Sequence, residues 1–249
     1  MGNNLTLRNQ IIIPEDYPED KSENYSDIEL AAVYSKNNTN LIIFEELLLK
    51  THNDEETLND LLIKIILNIT KKASIDAIKL LIKNGVNLNY TKHRGWTAPI
   101  YCCMHLRNIE IIKLLIENGA DINIKHESEY SLLTFKIEHS YDDKDLEIIK
   151  LLIRKGSQIN YKNRYGETQL MIYSQMNHNK LIKFEIIKLM LDNKVDIYIQ
   201  DNEGNNILKY LKDKTEYNEY YSLIFNYKNL ENDHFCECDI NFIYYHVTN

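Results

Sequence analysis

The chain has 249 residues and a net charge of −8, with 29 Lys and Arg against 37 Asp and Glu. That balance excludes a general nucleic-acid binder, because phosphate contacts need a basic stripe. Three prolines and seven glycines suit long helices, and the sequence has no run of 18 apolar residues that would read as a membrane-spanning helix.

Residues 1–25 carry Pro14, Pro18 and the acidic run Glu15-Asp16-Tyr17-Pro18-Glu19-Asp20. They read as a mobile leader without the basic-then-apolar pattern of a secretory signal. Met1-Gly2-Asn3-Asn4-Leu5-Thr6 fits the N-myristoylation pattern, so Gly2 is a lipidation candidate. One acyl chain holds a membrane only marginally. The four cysteines, Cys102, Cys103, Cys236 and Cys238, fall at no disulfide-framework spacing. That usage points to a reducing, cytoplasmic compartment.

Helical spacing begins at Ser26. The apolar pattern, caps and breakers predict helices near 27–35, 41–50, 55–69, 75–84, 99–106, 110–118, 131–139, 146–155, 168–176, 183–193, 205–213 and 217–226. Leu41, Phe44, Leu47 and Leu48 mark one buried face, and Leu58, Leu61, Leu62 and Ile65 another. No continuous sheet is expected.

Four of these helices belong to one recurring phrase. Glu110-Ile111-Ile112-Lys113-Leu114-Leu115-Ile116-Glu117-Asn118-Gly119-Ala120-Asp121-Ile122-Asn123 has counterparts ending their helices at Gly85, Gly156 and Lys194. The spacings between those four positions, 34, 37 and 38 residues, predict a solenoid of helical pairs. Ile78, Leu81 and Ile82, with Ile112, Leu115, Ile116 and Ile149, Leu152, Ile153, read as the stacked core. Burial of each contributes about 1.5–3 kcal/mol. Glycine suits the post-helix position because the chain there often turns left-handed.

After each phrase comes a polar turn. Lys92-His93-Arg94-Gly95-Trp96-Thr97, Asn163-Arg164-Tyr165-Gly166-Glu167-Thr168 and Asp201-Asn202-Glu203-Gly204-Asn205-Asn206 are the three clear cases. Each reads as a hairpin-like loop feeding a capped helix.

These motifs resemble the ankyrin repeat family. Gly166-Glu167-Thr168-Gln169-Leu170 matches the family's turn and first helix. Glu110–Ile116 and Gly119–Asn123 match its second helix and the exit from it. The resemblance covers about 54–212, with 26–53 as a degenerate first repeat. It implies an all-α solenoid of antiparallel helix pairs with hairpin-like inter-repeat loops, about five to six repeats over 26–227. Ala98 is an extra residue between Thr97 and Pro99, Glu129 and Ser131 replace the family's Gly and Thr, and insertions fall around His139–Asp145 and Asn177–Lys183. Irregular repeats rich in Ile, Lys and Asn are similar to those of poxviruses, other large DNA viruses and anaerobic fungi. No F-box-like segment is recognisable in 226–249. The family implies a non-catalytic, cytoplasmic, monomeric scaffold with a protein partner, no nucleic acid and no cofactor. A host-interaction role follows if the source is viral.

Residues 228–249 read as a C-terminal tail or cap. His234-Phe235-Cys236-Glu237-Cys238, with His246, offers soft ligands, so a metal-binding protein is one alternative function. One residue between paired cysteines is a poor fit to a tetrahedral ion, and no metal site is assigned. Cys103 reads as a small core residue, and Asp142-Asp143-Lys144-Asp145 as a solvated insertion without calcium-loop spacing. No catalytic constellation is present. The other alternative is the same scaffold tethered to a membrane through Gly2.

The expected partner surface is a ladder of loop aromatics. Trp96 and Tyr130 both lie eleven residues past the post-helix glycines Gly85 and Gly119, and Tyr165 falls slightly earlier in the next loop. Equivalent slots of a solenoid stand about 10 Å apart. Lys92, His93, Arg94 and Arg164 would give these rings a basic rim. Trp96 has a second reading, as a ring tucked against its own hairpin.

Overall fold

In the computed structural model, the described residues are 10–11, 26, 28, 31–32, 38–50, 54–67, 75–91, 95–106, 108–125, 130–176, 180–211, 220 and 222–224. The chain forms two compact units, Met1–Gln158 and Ile159–Asn249. The described residues form helices joined by tight loops, with one isolated antiparallel bridge, Lys162 to Thr168. Within the expected leader, Ile11 is buried.

The first unit contains α1 (Asn38–Lys50), α2 (Glu55–Leu67), α3 (Ile75–Lys83), α4 (Ala98–Tyr101), α5 (Ile109–Glu117), α6 (Leu132–Glu138) and α7 (Asp143–Arg154). Asp54 opens α2 by accepting the Thr57 N–H at 2.7 Å. Asn108 caps α5 through the N–H groups of Glu110 and Ile111, and Ser131 caps α6 through Thr134. Each cap satisfies donors that the helix itself leaves unpaired.

Thr97 stands at the start of α4 but makes no side-chain cap. The extra Ala98 moves Pro99 to the second helical position, where it has no N–H to offer. The helix then widens into a π-turn over Cys102–Leu106. A π-turn closes i to i+5 and takes up one residue more than an α-turn, which accommodates the insertion.

The second unit contains α8 (Gln169–Gln175), α9 (Lys180–Asp192) and α10 (Ile207–Leu211). Thr168 caps α8 through Met171 N–H, and α8 packs on α10.

The helix ends repeat faithfully. Val86, Ala120, Ser157 and Val195 donate their N–H groups to Leu81, Leu115, Leu152 and Met190 at 3.0–3.1 Å. Between donor and acceptor the chain turns left-handed, at φ 80° for Gly85, 95° for Gly119, 91° for Gly156 and 60° for Lys194. Lys194 is the one non-glycine among the described residues with positive φ.

The recurring core differs by one position from the sequence reading. Ile78, Leu81, Ile112, Leu115, Ile149 and Leu152 are buried, but Ile82, Ile116 and Ile153 are half-buried. The residue before each triple takes the third place in the core: Ala77, Ile111 and Ile148 are all buried. At about 100° per residue the i−1, i, i+3 set spans the same arc as i, i+3, i+4, so the buried face is turned to the other side of the shared i, i+3 pair.

Asparagine side chains clasp successive loops inside each unit. Asn89 Oδ1 accepts Asp121 N–H at 2.7 Å, while its Nδ2 donates to Gly119 O at 3.2 Å. Asn123 does the same to Gln158 N–H (3.0 Å) and Gly156 O (3.4 Å). In the second unit Asn160 accepts Asp196 N–H at 2.8 Å.

The insertion before α7 is not a solvated loop. Asp142 caps α7 through Lys144 and Asp145, so the helix starts at Asp143, three residues before the predicted boundary. Asp145 is wholly buried and pairs with Lys136. The charge pattern Asp142-Asp143-Lys144-Asp145 looks like solvent-facing chain because its partner lies in the preceding helix. Likewise α9 begins at Lys180, so Lys183 is helical and buried.

Candidate protein-interaction surface

In the first unit, Trp96 is half-buried, not free at a loop tip. Its ring lies 5.0 Å from that of Tyr101 and 5.7 Å from that of Phe135, both tilted. Tyr130 meets the same Phe135 edge-on at 5.6 Å. Phe135 therefore joins the two loop aromatics at its own buried position on α6. Such pairs add about 0.5–1.5 kcal/mol beyond burial. Phe135 carries no obvious sequence signal for this role, since it reads as ordinary core.

Beneath that cluster the Lys136 ammonium contacts Asp145 Oδ1 at 2.5 Å and donates to the Cys103 carbonyl at 3.3 Å. The second Asp145 oxygen accepts Tyr141 N–H at 2.8 Å. Burial pushes the Cys103 thiol up to about 12, against the pull of Lys136, and burial also raises Cys102 well above the usual thiol range. Both thiols are buried, an environment that favours the neutral form.

The second unit places Arg164 and Tyr165 differently. Both are exposed, at the tip of a hairpin that ends in the Lys162–Thr168 bridge. Asn163 Oδ1 accepts the N–H groups of Tyr165 (2.9 Å) and Glu167 (3.0 Å), and Gly166 N–H reaches Asn163 O at 2.9 Å. The tip is thus fixed by hydrogen bonds within itself. The Arg164 guanidinium lies over the Tyr165 ring, 4.9 Å from its centroid.

A second hairpin repeats this construction 38 residues on. Asp201 Oδ1 accepts Glu203 and Asn205 N–H groups, both at 2.8 Å. The two hairpins are latched: Asn202 N–H donates to Tyr165 O and Asn202 Nδ2 to Arg164 O, each at 3.0 Å. Gly166 (φ 79°) lies against that latch, and a Cβ there would stand 2.6–2.9 Å from Asn202 and Asp201.

Tyr210 ties the bases of the hairpins. Its hydroxyl contacts Asp201 Oδ2 at 2.6 Å and Glu167 Oε1 at 3.2 Å. Burial works to raise the Asp201 carboxyl, but hydrogen bonds from Tyr210, Asn205 and Glu203 outweigh it and hold the group at about 2. Burial, the bond to Asp201 and the nearby carboxylates raise the Tyr210 hydroxyl well above its usual range.

Lys92, His93, Arg94, Gly2, and the tail residues His234, Cys236, Cys238 and His246 lie outside the described residues. Among the described residues, no group of three or more His, Cys, Asp or Glu could hold a metal ion, and no helix is long and apolar enough to cross a membrane.

Comparison with known families adds one match. A family model described as ankyrin repeats, in three copies, covers residues 30–126. No curated protein matches the chain.

Proposed function

We propose that this chain, whose residues 30–126 match ankyrin repeats, works as a non-catalytic scaffold holding a protein partner through hairpin tips and first-helix faces. The observation that carries this is the Arg164–Tyr165 tip. Its ring and guanidinium are exposed, yet the backbone beneath them is fully tied down. Tyr and Arg are the residue types that dominate interface energetics, and a preorganised loop loses little entropy on binding. Trp96 and Tyr130 contribute an edge of aromatic surface in the first unit, with Lys92, His93 and Arg94 preceding Trp96 in the sequence.

On this reading the protein is a cytoplasmic monomer without a cofactor, and a host-interaction role follows if its irregular repeats come from a virus and not from an anaerobic fungus. The test is affinity capture from the native cell with the wild-type chain and an Arg164→Ala/Tyr165→Ala variant. Loss of a specific partner at an unchanged thermal midpoint supports the reading. An unchanged partner set moves the recognition face elsewhere.

A second reading keeps the scaffold and tethers it to a membrane through acylated Gly2. Its support is the Met1-Gly2-x-x-x-Thr6 pattern. Mass spectrometry of the N-terminus after expression with an N-myristoyltransferase decides it; an unmodified Gly2 removes it.

A further inference from the structure

We propose that the latched tips of the second unit recognise an extended segment of the partner that carries an acidic residue and, two or three positions along, a basic one. This rests on the scaffold reading above and names the chemistry of its partner.

The first observation is an uncommitted cation. Acids outnumber bases by 37 to 29 in this chain, and some lysines are paired with carboxylates: Lys50 with Glu46, Lys79 with Asp76, Lys150 with Glu147. Lys162, beside the tip, spends its ammonium on Gln200 O at 2.8 Å. Among the described residues, Arg164 has no carboxylate partner; its guanidinium rests on the Tyr165 ring. The ring orients the planar fork and leaves its edge to solvent. A carboxylate fits that edge with two parallel hydrogen bonds.

The second observation is the neighbouring tip. Glu203 holds the slot, 38 residues on, that Tyr165 holds in its own hairpin. It is exposed, and its carboxylate receives one long bond, from Asn205 Nδ2 at 3.3 Å. The other two carboxylates nearby, Asp201 and Glu167, are already engaged by Tyr210. The latch through Asn202 fixes the positive tip beside the negative one. The two tips are in direct contact through the Asn202 bonds to Arg164 O and Tyr165 O, and extended chain at about 3.3 Å per residue passes between such neighbours in about two or three residues. A partner strand that places a carboxylate on Arg164 therefore brings a following side chain over Glu203.

This arrangement selects against a polyanion. A nucleic acid or an all-acidic tail would satisfy Arg164 and then meet Glu203. A segment of mixed charge meets both.

The experiment is selection from a displayed library of random twelve-residue peptides on the full chain, followed by fluorescence anisotropy on the selected peptides. The expected result is enrichment of Asp or Glu with Lys or Arg two or three positions away. Arg164→Gln should then weaken binding by about ten-fold, the value of one charge-assisted bond, with an unchanged circular-dichroism melt. The Arg164→Glu/Glu203→Lys double variant should select the two charges in reversed order. Peptides that bind without the charge pair, or whose binding ignores Arg164→Gln, overturn this proposal and leave the scaffold reading standing. If neither the library nor cell extract yields any binder, both fall together.

Discussion

Lys136 and Asp145, from α6 and α7, form an ion pair with both side chains out of contact with water. Removing one partner of such a pair leaves the other charged and buried, which costs about 3–5 kcal/mol. Asp145→Ala should therefore lower the urea midpoint severely. A Lys136→Met/Asp145→Leu variant buries no charge and should recover most of the loss. Equilibrium unfolding of Lys136→Met, Asp145→Leu and the double variant measures the coupling. Equal losses in Asp145→Leu and the double variant would mean that the orphaned Lys136 charge is not the source of the loss.

The loop aromatics should separate into two kinds. Trp96→Ala deletes contacts with Tyr101 and Phe135. Full burial would make the change cost about 3–5 kcal/mol, and half-burial brings it to about 2 kcal/mol. Tyr165 is 56% exposed, so Tyr165→Ala should stay within about 0.5 kcal/mol of wild type. Thermal melts of the two variants, side by side, check the order.

Much of this was legible beforehand. The four-fold phrase located the helix pairs because its glycines and apolar positions report local geometry. The helix starts near Asp143 and Lys180 were misplaced for one reason: Asp145 and Lys183 look like solvent residues to any rule based on polarity. Asp145 is paired by Lys136, nine residues away, and Lys183 donates to Ser174 O and Met176 O at 2.7 and 2.8 Å. A sequence does not display which buried charges have partners. The Trp96 environment was hidden similarly, because Phe135 lies one repeat further on.

Lys194 adopts φ 60° where its equivalents are glycines. A side chain in that region carries Cβ strain that glycine lacks. Lys194→Gly should raise stability by about 0.5–1 kcal/mol, read as a higher denaturation midpoint. A lower midpoint would mean that added freedom in the unfolded chain outweighs the relieved strain.

Gly166 and Gly204 share nearly the same φ, 79° and 82°, but differ in surroundings. A Cβ on Gly204 meets nothing within 4 Å; one on Gly166 meets the backbone of Asn202 at 2.7 Å. Gly204→Ala should cost about 1 kcal/mol from conformation alone. Gly166→Ala should cost clearly more, since the latch between hairpins must open. Chemical denaturation of both variants ranks them, and equal losses would place the strain in φ only.

The Asp201–Tyr210 bond predicts a dependence at both ends of the pH scale. Asp201 has a folded value of about 2, below its ordinary range near 3.9. Its contribution is full above that range and is lost as pH falls through about 2. Tyr210 is raised, so its contribution is full below its ordinary value near 10 and fades as pH climbs above it. Tyr210→Phe should flatten both limbs of a stability–pH curve. A mutant curve parallel to wild type would remove this bond as the cause.

The asparagine clasps carry a consequence for length. The same bond, Asn Oδ1 to a backbone N–H in the next loop, spans 32 residues from Asn89, 35 from Asn123 and 36 from Asn160. The intervening chain grows by up to four residues, yet the junction at its foot is unchanged. The extra residues leave from the far end of each helix pair, between α6 and α7 and between α8 and α9. Within each unit the joint between successive loops is thus constant while the connection between the two helices of a pair varies in length. That connection is where this protein can lengthen, shorten or accept a foreign peptide while the clasped loops keep their register.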